Sequence, residues 1–160
     1  QNLLATNTLG RAFYSPVVGE GGRQPNLARF QFLDPVSRDF YPDWDLFAEM
    51  CVGVMRAEAG RDPHDRGLQD LIGELSTRSD TFRRLWADHN VRTHGTGTKR
   101  FNHPIVGELT LAYEELGITA EPGLVLLIYT AEPGSPSAER LRLLASWAAS
   151  EQAPIATDRP

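Results

Sequence analysis

Three cationic side chains, Lys99, Arg100 and His103, fall within the stretch TGTKRFNHPIVGELTL, residues 96–111, and Lys99 is the chain's only lysine. Cations gathered just ahead of an alternating apolar–polar run suit recognition of an anionic group through charge-assisted hydrogen bonds. On an extended strand from Thr98 to His103, Lys99, Phe101 and His103 share one face, and Thr98, Arg100 and Asn102 share the other. Two readings stay open. In one, Arg100 or His103 stands at the mouth of a pocket and neutralises a carboxylate. In the other, the charges are solvated on the outer sheet face and Phe101 anchors the hairpin to the core. Arg29, flanked by aromatic residues in NLARF, is a second candidate anchor, since its stem can lie along apolar surface while the guanidinium stays polar.

Residues able to catalyse are few. His64, His89, His94 and His103 are the available bases or metal ligands, with Asp65 and Asp88 near two of them. Neither HExxH nor CxxC occurs, so the spacing of a metal site is missing. HGTGTKR, residues 94–100, lacks the GxxxxGK[ST] spacing of a phosphate loop and precedes a strand, not a helix. No GxSxG elbow is present. Cys51 falls on the apolar face of a helix, where a thiol is inert packing. No enzyme, metal or cofactor is expected.

Aromatic residues offer a different chemistry. Phe30, Trp44, Phe47, Phe82 and Trp86 belong to segments expected to face a sheet, and a pocket for a small apolar molecule would be lined by such side chains with one or two polar groups. Met50, Cys51 and Met55 are soft neighbours able to adapt to an acyl chain. The competing reading is a fully packed core.

These side chains need elements to hold them. Leu3, Leu4 and Ala5 resemble the end of a strand begun upstream. Asn7 caps a short helix, TLGRAFYSP, that stops before Pro16, and Asn26 caps another carrying Leu27, Phe30 and Leu33 inward. A long helix starts at Asp43 or Tyr41–Pro42, buries Trp44, Phe47, Cys51, Val54 and Met55, and ends at Gly60. The next has Asp62 as cap, Pro63 at its first position and Leu68, Leu71, Ile72 and Leu75 on one face. Ser79 caps a third, presenting Phe82, Leu85 and Trp86. From Val91 the period falls toward two. Pro104 and Gly107 fit a hairpin turn, Leu109, Leu111 and Tyr113 alternate with polar residues, and LVLLIYT, residues 124–130, reads as a central strand covered on both faces. A final helix is capped by Ser135, starts at Pro136 and packs through Leu141, Leu144, Trp147 and Ala148.

Composition bounds the rest. The 160 residues suit one α+β domain with an antiparallel sheet, a helical block between early and late strands, and a C-terminal helix. A net charge of −5 argues against bulk electrostatic binding of nucleic acid or anionic lipid. No apolar run reaches the length of a membrane helix, and a single cysteine suits a reducing cytoplasm.

Five motifs in this order, ATNTLGRAFYSP, NLARFQFLDP, YPDW, GTKRFNHPIVGELTL and YTAEPGSPSAERLRLLASWA, closely resemble the C-terminal ligand-binding domain of MmyB-like transcription regulators over residues 3–149. The resemblance implies a PAS-like fold, a helix-turn-helix of the XRE type upstream and absent from this chain, and a small apolar ligand, with fatty acids the expected class. Residues 1–150 are then the sensing domain, with its first strand lost upstream, and 151–160 a flexible tail. The expected binding residues are Arg29, Phe30, Trp44, Phe47, Met50, Phe82, Trp86, Arg100 and His103. DNA would be met only through the missing domain. The regulator is expected to be a cytoplasmic homodimer, and the alternative is a dimerisation module without a small-molecule ligand.

Overall fold

A computed structural model describes residues 1–18, 24–88 and 96–151. Eight helices and three strands are present among them: α1 (Thr8–Phe13), α2 (Ser15–Val18), α3 (Leu27–Leu33), α4 (Val36–Phe40), α5 (Trp44–Arg61), α6 (Arg66–Arg78), α7 (Asp80–Ala87), β1 (Thr96–His103), β2 (Gly107–Gly117), β3 (Val125–Thr130) and α8 (Pro136–Glu151). The fold is α+β, as expected. His89, His94 and all of the expected tail except Glu151 lie outside the described residues.

The sheet is antiparallel in the order β1-β2-β3. Its register pairs Lys99 with Leu111, Phe101 with Leu109, Gly97 with Tyr113 and Tyr113 with Tyr129. Strand alternation therefore collects Lys99, Phe101, His103, Leu109, Leu111, Tyr113, Glu115, Leu127 and Tyr129 on one inner face. Gly107 opens β2 at φ +78, a left-handed conformation that glycine adopts without a Cβ clash, and the expected 103–107 turn is realised there.

Local capping follows the sequence closely. Asn7, Asn26 and Ser79 each accept a backbone N–H in the first turn of α1, α3 and α7, and the Ser135 hydroxyl does so for α8. Other boundaries differ. Helix α1 stops before Pro16, as expected, but the chain restarts at once as α2 with Pro16 second, where a first-turn N–H has no intrahelical acceptor to lose. Helix α5 runs through Gly60 to Arg61, and α6 is capped by Asp65 instead of Asp62, leaving Pro63 outside. The strand end anticipated at Leu3–Ala5 is an isolated bridge, Asn2 with Asn26, supported by a hydrogen bond of 2.7 Å that Asn26 Nδ2 donates to Asn2 Oδ1.

β3 is at the sheet edge, not its centre, and Val125 and Leu126 are 49% and 52% exposed. Its apolar run reads as two-faced burial, yet only β2 pairs with it, and its outer face carries no packed layer. Val54, expected inward on α5, is exposed because α5 buries Ala48, Val52 and Met55 instead. Trp147 is exposed too, since α8 packs on α1 and β2 through Leu144 and Ala148.

Two cores result. One joins the inner sheet face to α1, α4, α8 and the start of α5, with Phe13, Phe40, Phe101, Leu109, Leu111 and Leu144 at its centre. The other lies among α3, α5, α6 and α7, around Val52, Met55, Leu75 and Phe82. Each such fully buried Leu, Met or Phe side chain contributes roughly 1.5–3 kcal/mol.

Candidate functional site

Most of the expected pocket residues are occupied with structural work. The Trp44 indole N–H donates to Ser37 Oγ at 2.9 Å, Ser37 Oγ donates to the Gln31 carbonyl, and Gln31 Nε2 donates to the Trp44 carbonyl, so these three polar groups close on one another. Phe82 is fully buried against Phe32 and stacks on Trp86. Arg56 covers the Trp86 ring from 5.3 Å and caps the last carbonyls of α7, including that of Leu85 at 3.2 Å. Phe82 and Trp86 were expected to face the sheet. They belong to the second core, because α7 packs on α5 and α6. A helical stripe shows which side is buried but not what it meets. Met50 is partly buried on α5.

The expected anchors are also engaged. Arg29 donates to Glu74 Oε2 at 2.7 Å and, with Phe30, lines a cleft of about 350 Å³ bounded by Val17, Leu33, Glu74 and Arg78. Arg100 is 59% exposed on the alternate face of β1 and forms a fork on the Asp43 carboxylate. That pairing holds the Asp43 carboxyl below the usual carboxylate range. His103 is buried, its Nε2–H donating to the Ala12 carbonyl at 3.1 Å and its Nδ1 accepting from Ile105 N–H at 3.2 Å. Both ring nitrogens are used by the neutral form, and burial pushes the pKa down. His103 also borders a cleft of about 490 Å³ with Phe40, Arg38 and Asn102. The nine expected residues are therefore distributed over several places, and they do not converge on one pocket.

A different set does converge. Phe101, 1% exposed, is ringed by Phe13 at 4.9 Å, Tyr129 at 5.5 Å, Phe40 and Phe47 at 5.6 Å and Tyr41 at 5.9 Å between ring centroids. Tyr41 stacks on Phe47 at 4.3 Å. Lys99, on the same inner face, holds its ammonium 3.8 Å from the Tyr113 ring centroid, 5.6 Å from that of Phe47 and 6.0 Å from that of Tyr129. Among the described residues it has no carboxylate within ion-pair distance and no hydrogen-bond acceptor. Desolvation lowers its pKa, opposed by the charge of Glu115. The Tyr14 and Tyr129 hydroxyls bond to each other at 2.9 Å, while the buried Tyr41 hydroxyl has no hydrogen-bond partner among the described residues. Burial raises all three phenols, Tyr14 to about 12, so they remain protonated donors; it also pushes the Cys51 thiol up to about 12, which makes it unreactive.

Geometry continues this set into a seam. Phe47, Cys51, Val54, Glu58 and Arg61 recur along one face of α5. Phe47 touches the sheet at Phe101, and the far end meets the β2–β3 turn, where a Cβ on Gly123 would come within 2.6 Å of Arg61 Nη2. Between these ends, Val54 on the helix and Val125 and Leu127 on the strand present apolar surface only partly covered. An unpaired cation, an unpaired phenol and aromatic walls therefore lie at the inner end of an apolar seam. Such a set can hold a small molecule with one anionic end. Within the described residues no three His, Cys, Asp or Glu side chains are grouped to hold a metal, and no helix is long and apolar enough to cross a membrane.

Lys99, Tyr41, Tyr113 and Tyr129 were not among the expected binding residues. The signal for Lys99 was there: alternation puts it on the face of Phe101, opposite to Arg100. A search of curated proteins finds no match. Residues 1–144 match the MmyB-like transcription regulator ligand binding domain, more than half of the chain, and the protein belongs to that family as a ligand-sensing domain of a transcription regulator.

Proposed function

We propose that the domain senses a small, largely apolar acid, with a fatty acid the best-fitting class, by taking its carboxylate at Lys99 and its chain along the seam between α5 and the inner face of β2–β3. One observation carries this reading: a partly buried ammonium over the Tyr113 ring with no carboxylate within ion-pair distance among the described residues. A buried charge normally comes paired, and a ligand carboxylate supplies the missing counter-ion while Tyr41 O–H adds a donor. Chain methylenes would cover Val54, Val125 and Leu127. Binding would favour whichever arrangement of helices keeps the seam intact, and it shifts that equilibrium only by its differential affinity for the two arrangements. DNA would be bound through a separate helix-turn-helix domain in a cytoplasmic regulator.

A homodimer belongs to the same proposal. Leu143 and Trp147, one turn apart on α8, are 59% and 39% exposed, an apolar pair suited to a second copy. The test is thermal unfolding with dodecanoate and with dodecan-1-ol, beside sedimentation equilibrium. Saturable stabilisation, stronger for the acid, supports sensing. A dimer that neither compound stabilises favours the dimerisation module and overturns the sensing reading.

A further inference from the structure

One side-chain amine has neither a hydrogen bond nor an ion pair among the described residues. Lys99 is the chain's only lysine. Its Nζ rests against a tyrosine face, and no acceptor among the described residues holds its proton in place. A lysine becomes a nucleophile when desolvation among apolar groups lets it give up that proton. Both conditions are met, since aromatic rings from β2, β3 and α5 surround the nitrogen and burial pulls its pKa below the usual lysine range. The apolar walls at Val54, Val125 and Leu127 suit an aliphatic chain attached to the reacting group.

We infer that Lys99 captures aliphatic aldehydes reversibly as an imine, so that the same seam distinguishes an aldehyde, held covalently, from an acid, held by charge. The free amine attacks the carbonyl carbon, and a proton moves from nitrogen to oxygen to give the carbinolamine. That adduct loses its hydroxyl and the remaining nitrogen-bound proton together as water. A carbon–nitrogen double bond replaces the carbonyl, and no oxidant or reductant takes part. The departing hydroxyl takes its proton from solvent, while the face of the Tyr113 ring, its centroid 3.8 Å from the nitrogen, keeps the amine in an apolar setting.

The inference rests on the seam being the ligand site, so the experiment reads the two apart. The intact chain is incubated with decanal and sodium cyanoborohydride, with and without excess dodecanoate, and is then weighed and peptide-mapped. Dodecanoate binding is measured separately by titration calorimetry. Expected beside any label at the chain's α-amine is one adduct at Lys99, heavier by the mass of decanal less one oxygen and suppressed by dodecanoate. Lys99→Arg should label only at the chain's α-amine. Labelling confined to the α-amine, or Lys99 labelled no faster in the folded chain than in urea, overturns the inference. If dodecanoate binds and Lys99 stays unlabelled, covalent capture fails and the carboxylate reading stands; if neither occurs, both fail. The folded-against-urea comparison uses only the wild-type chain, so it decides the matter even where Lys99→Arg misfolds.

Discussion

Lys99→Met removes the charge while keeping most of the side chain's length, which makes it the sharpest perturbation of the site. In the ligand-free protein, the ammonium loses a contact of 3.8 Å with the Tyr113 ring, worth roughly 0.5–2 kcal/mol. Desolvation acts in the opposite direction, as the lowered pKa shows. The two nearly cancel, so stability should change by no more than about 1 kcal/mol, a shift of only a few degrees in Tm. Acid binding should respond far more. A hydrogen bond to a charged group contributes about 1.5–3 kcal/mol, and at 1.4 kcal/mol per factor of ten this weakens dodecanoate by about 10- to 150-fold. Methyl dodecanoate carries no charge and should bind the variant as it binds the wild type. Arg100→Ala is the control, because its guanidinium is already taken by Asp43 at the exposed face, and it should leave both affinities unchanged. Isothermal titration with the two compounds gives the four numbers needed. Equal losses for acid and ester in Lys99→Met, or a loss of acid selectivity in Arg100→Ala, would refute the assignment of the charge to Lys99.

His103 makes stability depend on pH. Its folded pKa lies below 6.5, so the unfolded chain binds the proton first on acidification. The contribution is complete above about pH 6.5 and is lost as pH falls through the folded value; urea unfolding at several pH values should show His103→Gln losing less stability than wild type between neutral and acid pH. Phe101→Ala empties the centre of the aromatic cluster, and by analogy with other Phe→Ala cavities should cost about 3–5 kcal/mol in a denaturant titration. A cost under about 1 kcal/mol would mean that the cluster is not the core described.

Local signals made much of this fold legible. Asn7, Asn26 and Ser79 act within three residues of themselves, so their caps follow from sequence. The alternation of Leu109, Leu111 and Tyr113 likewise declares one buried face. What failed depends on distant partners. Residues 124–130 look doubly covered, but burial of a strand is set by its neighbours, and β3 has only β2 beside it. Phe82 and Trp86 form a correct stripe whose partner, α5, no local pattern identifies. At the site, the shared face of Lys99 and Phe101 was readable. That Asp43 would engage Arg100, and that no carboxylate among the described residues would pair with Lys99, are facts of the folded chain.

One lysine in 160 residues allows the central claim to be observed at a single atom. Protein grown with lysine labelled at Cε and Nζ gives one side-chain signal, which can be followed during titration with dodecanoate. The account predicts that this signal moves in step with binding, saturates at one equivalent, and titrates with pH at a higher midpoint in the complex, since a carboxylate beside the ammonium favours its charged form. Dodecanoate bound to saturation with the Lys99 signal and its midpoint unmoved would contradict the account.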